Sequence, residues 1–302
     1  MTSSLLIAGC GGDDDADSSQ TGTASFSIKD APVDGVSEVV VTFDRIDLKP
    51  RNGAVERFEL DPPRTVDLLA LQGTDAAALI DAVELPSGQY DWMRLYVVTD
   101  GSEVVEVLGG EFDLFIPGSH PPSSNPNQRF LHLARPFVIP AGGHADFTVD
   151  VELRKALIKR TSGPGSPFYM LRPSLRLVDN SATGTLTGTA PHCTSDLSSG
   201  GNAVYVYEGA GAVPGDVFVG EDGDELLRSD GADHPLTLAN VTLDTESGLW
   251  RYTVGFLPAG VYSIAFTCQA REDEPGSQDD IGLSSPTDVT ITAGETFELN
   301  LD

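Results

Sequence analysis

The sequence predicts an all-β protein built as two antiparallel β-sandwich domains. Three observations carry this reading. Apolar residues recur at a two-residue period, as in Trp250, Tyr252, Val254 and Phe256, and an extended chain puts such residues on one face. Thirty-two glycines and 20 prolines, with few long helical patterns, describe a chain of many turns. One turn also occurs twice: Leu85-Pro86-Ser87-Gly88-Gln89-Tyr90 and Leu257-Pro258-Ala259-Gly260-Val261-Tyr262 each run into an apolar strand. A length of 302 residues, 40% of them hydrophobic, fits about two domains with real cores.

Residues 1–22, MTSSLLIAGCGGDDDADSSQTG, read as a targeting segment rather than as structure. Ile7-Ala8-Gly9-Cys10 resembles the lipobox of bacterial lipoproteins, in which the cysteine becomes the diacylated N-terminus after cleavage. Residues 1–10 are then a signal remnant, and the implied anchor is a lipid (a palmitate-type acyl group) on Cys10. Gly11, where an acidic residue would signal retention, implies the outer membrane by the same resemblance. Residues 11–22 hold Asp13, Asp14, Asp15 and Asp17 and nothing apolar to bury, so they form a disordered lipidated tether. The competing reading is a plain disordered N-terminus.

The first domain is placed at 23–179. Phe26 and Ile28 alternate in a short strand, Asp30-Ala31-Pro32 turns, and a second strand runs from Glu38 to Leu48. TDAAALIDAV, Thr74 to Val83, is the best helix candidate, alanine-rich and capped by Thr74 or Asp75. In the strand after the first repeated turn, Tyr90, Trp92, Tyr96 and Val98 share one face and Met93, Leu95 and Val97 the other. Apolar on both sides, it reads as a central strand with Arg94 its one polar intrusion. Gly118 to Gln128, with three prolines, reads as a surface loop. Phe147, Val149, Val151 and Leu153 alternate with Thr148, Asp150 and Glu152 in a half-buried strand. Arg154, Lys155, Lys159 and Arg160 form a basic cluster, read as a solvated rim.

Several of these segments, in order, resemble a bacterial lipoprotein family known as domain of unknown function 4382. They are Lys29 to Asp34, VVVTFDRIDL, Thr65 to Leu71, Leu85 to Tyr90, Pro136 to Gly143 and Leu171 to Val178. The resemblance covers about residues 22–180. It implies an envelope location and a β fold, and no agreed activity.

The second domain is placed at 180–302, after Asn180 to Gly184. Its strand candidates are Ala203 to Tyr207, Val217 to Val219, Leu236 to Leu243, Leu249 to Phe256 and Val261 to Cys268, with two closing runs. Trp250 to Phe256 and Tyr262 to Cys268, joined by a type I turn at Leu257 to Gly260, predict a hairpin with one buried face. Gly248, Trp250 and Leu257 to Tyr262 resemble prealbumin-type or carboxypeptidase-regulatory sandwiches, which host unrelated roles.

Charge narrows the partners. The formal net charge is −28; residues 21–180 carry 15 basic and 22 acidic side chains, and residues 181–302 carry 3 and 20. A surface of that sign repels phosphate backbones, which argues against a nucleic-acid partner. With Cys10 set aside, Cys193 and Cys268 form an even pair suited to an oxidising compartment, either as a disulfide or as two buried thiols. Glu221 to Glu225, followed by Asp230 and Asp233, concentrates hard oxygen ligands. Asp222, Asp224, Glu225 and Asp230 are the candidate calcium ligands, and a plain solvated acidic loop is the alternative. No catalytic motif stands out: there is no Gly-x-Ser-x-Gly, His-Glu-x-x-His or Cys-x-x-Cys, and the five histidines are scattered. No catalytic residue is assigned, and no cofactor is expected beyond that calcium. The expected function is a non-catalytic binding or structural module whose ligand is an envelope protein or glycan. The alternative is an envelope enzyme or glycan-active accessory protein, with the second domain as spacer.

Overall fold

The computed structural model describes residues 20–119, 128–193, 201–220 and 224–302. Twelve strands form the N-terminal sandwich: β1 (Thr21–Ala31), β2 (Val36–Pro50), β3 (Glu56–Asp67), β4 (Ala77–Pro86), β5 (Gly88–Glu106), β6 (Glu111–Phe115), β7 (Phe130–Leu133), β8 (Phe137–Ile139), β9 (His144–Glu152), β10 (Leu157–Arg160), β11 (Phe168–Leu171) and β12 (Leu175–Asp179). One sheet has the order β12-β9-β1-β4; the larger runs β10-β11-β6-β5-β2-β3, with β7 and β8 also pairing β5. Period-two alternation works as expected between them. Phe26 and Ile28, Val41 and Phe43, Leu95 and Val97, and Val149 and Val151 all point into one core.

The C-terminal sandwich holds β13 (Thr183–Thr189), β14 (Ala203–Glu208), β15 (Thr237–Asn240), β16 (Thr242–Asp244), β17 (Leu249–Pro258), β18 (Gly260–Thr267), β19 (Thr287–Ile291) and β20 (Thr296–Glu298). Its sheets are β16-β17-β13-β20 and β15-β14-β18-β19. Strand β14 is buried on both faces. Val204 and Val206 enter the core between the sheets, while Tyr205 and Tyr207 pack under two covering segments, one at Val217 and Val219 and one at Ile281. A strand was expected at Val217 to Val219; those three residues make an isolated bridge at Val219, to Glu225.

The repeated turn is an arch and not the hairpin expected. Strand β17 lies in one sheet and β18 in the other, as do β4 and β5 in the first sandwich. Each Leu-Pro-x-Gly-x-Tyr therefore carries the chain across a core. The tyrosine hydroxyl pins it: Tyr90 Oη donates to the Pro86 carbonyl at 2.9 Å, and Tyr262 Oη to that of Pro258 at 2.8 Å. Burial pushes the Tyr90 hydroxyl up to about 12, so this donor keeps its proton.

The surroundings repeat as well. Thr21 and Gly22 pair with Pro86 and Leu85, and Thr183 and Gly184 pair with Pro258 and Leu257. Both glycines are needed because a second arch passes over them. A Cβ would lie 2.1 Å from the Pro140 oxygen at Gly22 and 2.4 Å from the Thr292 oxygen at Gly184. Removing either hydroxyl, by Tyr90→Phe or Tyr262→Phe, should cost about 1 kcal/mol in urea unfolding by stranding a proline carbonyl. The two losses should add, since the sites lie in separate sandwiches. A neutral pair of variants would show that packing alone fixes the arches.

Two other expectations change. Thr74 to Val83 is not a helix: β4 occupies Ala77–Pro86, where Ala77, Ile80 and Val83 pair across to β1. Alanine's helix propensity is a weak preference, and a sheet edge with Leu79 and Leu85 in the core overrides it. The register also shifts between Lys49 and Pro50, which turns Tyr90 into the core, away from the face of Trp92.

The basic cluster is not a solvated rim at Arg154 and Lys155. Both are buried on a single helical turn, Leu153–Ala156, where the two sandwiches meet. Arg154 donates to the Ala270 carbonyl at 2.7 Å and pairs with Asp34. Lys155 donates to the Pro235 carbonyl at 2.6 Å and to Glu225 at 3.0 Å.

Candidate functional site

The outward face of the larger N-terminal sheet carries an arginine–aromatic strip. Strand alternation puts Trp92, Arg94 and Tyr96 on that face of β5, opposite the buried Met93, Leu95 and Val97. Register completes it. Tyr96 pairs with Phe130 and Arg94 with His132 on β7; on β2, Arg45, Asp47 and Lys49 stand beside Tyr96, Arg94 and Trp92. Cross-strand neighbours on one face sit close enough for direct contact.

Two guanidiniums stack on rings here, but they differ. The Arg45 guanidinium lies 3.4 Å from the Tyr96 ring centre and is also 3.5 Å from Asp47. Asp47 is further held by Arg57, which donates to it from Nε at 3.0 Å and Nη2 at 3.2 Å, and by Tyr96 Oη at 3.1 Å. That carboxylate is saturated. Arg94 instead lies between two rings, 4.2 Å from the centre of Trp92 and 4.3 Å from that of Phe130. Its Nε donates to His132 Nδ1 at 3.3 Å. Burial, and then the Arg94 charge, hold the His132 imidazole below its usual range, consistent with a neutral ring accepting that bond. Among the described residues neither Nη of Arg94 has a protein partner, and the side chain is only half-buried. The result is a fixed cation with its donor fork open, suited to planar recognition of an oxyanion.

The residues expected to form sites fall elsewhere. Cys10 lies outside the described residues. Cys193 and Cys268 are joined in a disulfide. Of the candidate calcium ligands, Asp222 lies outside the described residues, and the structure does not bring the other three together. Glu225 turns to Lys155, Asp230 is held by Arg228, and Asp224 is exposed. The carboxylates that do converge among the described residues are Asp216, Asp273 and Asp279, with ligand atoms within 4.8 Å of one another. Burial pushes Asp273 up to about 6. Arg228 pairs with Asp216 at the same place.

Clefts between the sandwiches are lined by cations that already pair. One of about 200 Å³ is lined by Lys29, Asp30 and Arg251, and another of about 330 Å³ by Lys155, Arg176 and Glu225. Lys29 meets Asp150, and Lys155 meets Glu225. In the sequence Arg94 alone gives no pattern. The available signal was Trp92-x-Arg94-x-Tyr96 on one face of a strand, with Phe130-x-His132 nearby.

Fold and strip define an all-β, two-sandwich protein with an exposed arginine–aromatic face. The chain belongs to the family described as Domain of unknown function (DUF4382), which matches residues 21–173, half of its length. Comparison with curated proteins returns no match. Among solved structures it is similar to GBS52, the minor pilin in the gram-positive pathogen Streptococcus agalactiae, at 12% identity over 92% of this chain and 94% of that one, with a TM-score of 0.20. It is also similar to BcpA, the major pilin subunit of Bacillus cereus, at 10% identity over 93% of this chain and 98% of that one, with a TM-score of 0.18. Similarity to the Bacillus anthracis TIE protein is 10% identity over 92% of this chain, with a TM-score of 0.20, and the chain spans 33% of that protein's length.

Proposed function

We propose that this protein is an envelope-anchored lipoprotein that acts as a non-catalytic binding module, with the β2-β5-β7 face as its binding surface. The observation that carries the binding reading is Arg94: a guanidinium immobilised between Trp92 and Phe130, its outer nitrogens left open. Holding a cation so fixed at a surface loses entropy that a ligand would otherwise have to supply. The anchoring reading rests on Ile7-Ala8-Gly9-Cys10 and the acidic run behind it. We read 23–179 and 180–302 as separate folding units, the second of them prealbumin-like on its Leu257 to Tyr262 arch.

Anchoring and binding are tested separately. Cells fed labelled palmitate should label the wild-type chain, and Cys10→Ser should abolish the label and release the protein from membranes. Labelling that survives Cys10→Ser would refute the anchor. For binding, the full-length Cys10→Ser chain should be retained on delipidated envelope from its own cells. Adding Arg94→Gln should cut retention about tenfold, which corresponds to about 1.4 kcal/mol. Undiminished retention would remove this face as the binding surface.

A further inference from the structure

The geometry points to a specific ligand chemistry for this face: a carboxylate-bearing sugar within an otherwise neutral glycan. This inference rests on the reading of the strip as a binding surface. The two open Nη groups of Arg94 lie in one plane, and a carboxylate offers two oxygens at matching separation, giving paired N–H···O bonds. The rings of Trp92 and Phe130 hold that plane in place, so little freedom is lost when the pair forms. Both rings are half-exposed and rigid, and they flank the cation with apolar surface on which the C–H face of a sugar ring can rest. The face is open sheet, spanning β2, β5 and β7, which suits an extended chain more than an enclosed small molecule.

Charge decides between dense and sparse anions. Along the strip Asp47 is already held by Arg45 and Arg57, which leaves Arg94, among the described residues, as the one open guanidinium there. A uniformly charged polyanion would bring many charges to that single guanidinium on a chain of net charge −28. A single carboxylate is different: charges beyond about 8 Å are largely screened at physiological salt, so it feels mainly the guanidinium it touches. Sparse carboxylates fit, and a phosphate polymer does not. His132 bears on the same point. Its neutral Nδ1 accepts from Arg94 Nε, which leaves the two Nη groups facing outward.

The test uses the full-length Cys10→Ser chain with xylotriose bearing a single glucuronate, its methyl ester and inorganic phosphate, followed by calorimetry. The acid should bind at least tenfold more tightly than the ester, a comparison that needs no variant. Arg94→Gln should lose about tenfold, and Arg94→Lys should recover only part because an ammonium lacks the planar fork. Unchanged thermal unfolding midpoints would show that the variants are folded. Equal affinity for acid and ester overturns the carboxylate, and phosphate binding as tight as the glucuronate-bearing xylotriose overturns the sugar. If no probe binds while envelope retention still depends on Arg94, the ligand class is wrong and the binding face stands. If retention is also independent of Arg94, both fail.

Discussion

Reducing the Cys193–Cys268 bond is expected to lower the free energy of unfolding by about 4.5 kcal/mol, the chain-entropy value for a closed loop of its 75-residue span. The bond joins the segment after β13 to the end of β18, which lie in opposite sheets of the C-terminal sandwich. Both cysteines pack against the core between those sheets. The bond therefore restricts the unfolded chain while adding little new contact to the folded one. A double Cys193→Ala, Cys268→Ala variant should match the reduced protein, with a lower urea midpoint and a larger m-value as the unfolded chain expands. A loss under about 1 kcal/mol would mean that the unfolded state is already compact without the bond. The Tyr90 arch lies in the other sandwich, so Tyr90→Phe should cost the same in oxidised and reduced protein.

Some of this architecture was legible because it depends on neighbours in sequence. Alternation of Phe147, Val149 and Val151 against Thr148, Asp150 and Glu152 marks a strand with one apolar face, and β9 is that strand. The repeated Leu-Pro-x-Gly-x-Tyr marks two equivalent bends. Proline and glycine, however, say only that the chain turns. Whether it turns within a sheet or between sheets depends on which strands flank it, and those come from far along the chain. The polar face of β9 shows the same limit. Thr148, Asp150 and Glu152 read as facing solvent, yet all three are buried. Arg154 and Lys155 looked like a rim for the same reason, since their partners Asp34, Ala270 and Pro235 lie 80 to 120 residues away. The Arg94 strip needs β7 beside β5, a pairing across the segment around residue 120 that no local pattern announces.

That buried polar face leads to the other large effect: Asp150→Ala should destabilise the protein by about 3–5 kcal/mol, the usual consequence of removing one partner from a buried ion pair. Register sets up the interaction. Lys29 on β1 and Arg176 on β12 stand on either side of Asp150 on β9, forming one charged row across three strands. Lys29 Nζ lies 2.7 Å from Asp150, and Arg176 contacts the same carboxylate. Burial works against the charge on Asp150, but the two cations outweigh it and hold the carboxyl below its ordinary range.

Removing Asp150 leaves two cations, and Glu152 answers only one of them, Arg176 at 3.4 Å. The exposed pair Arg51–Asp91 provides the contrast: Asp91→Ala should cost about 0.5 kcal/mol or less. A depressed carboxyl contributes stability above its ordinary value near pH 4 and loses it as pH falls below that. The gap between wild type and Asp150→Ala should therefore be full at pH 7 and close as acid protonates Asp150. Replacing the whole row together with Glu152, by Lys29→Met, Asp150→Leu, Glu152→Leu and Arg176→Met, should restore much of the loss, because no charge of the row is then stranded. Urea unfolding of the four proteins at pH 7 and pH 3 reads all of this. If Asp150→Ala costs no more than Asp91→Ala, water reaches the row, and the sandwiches are not packed together over the outer face of β9.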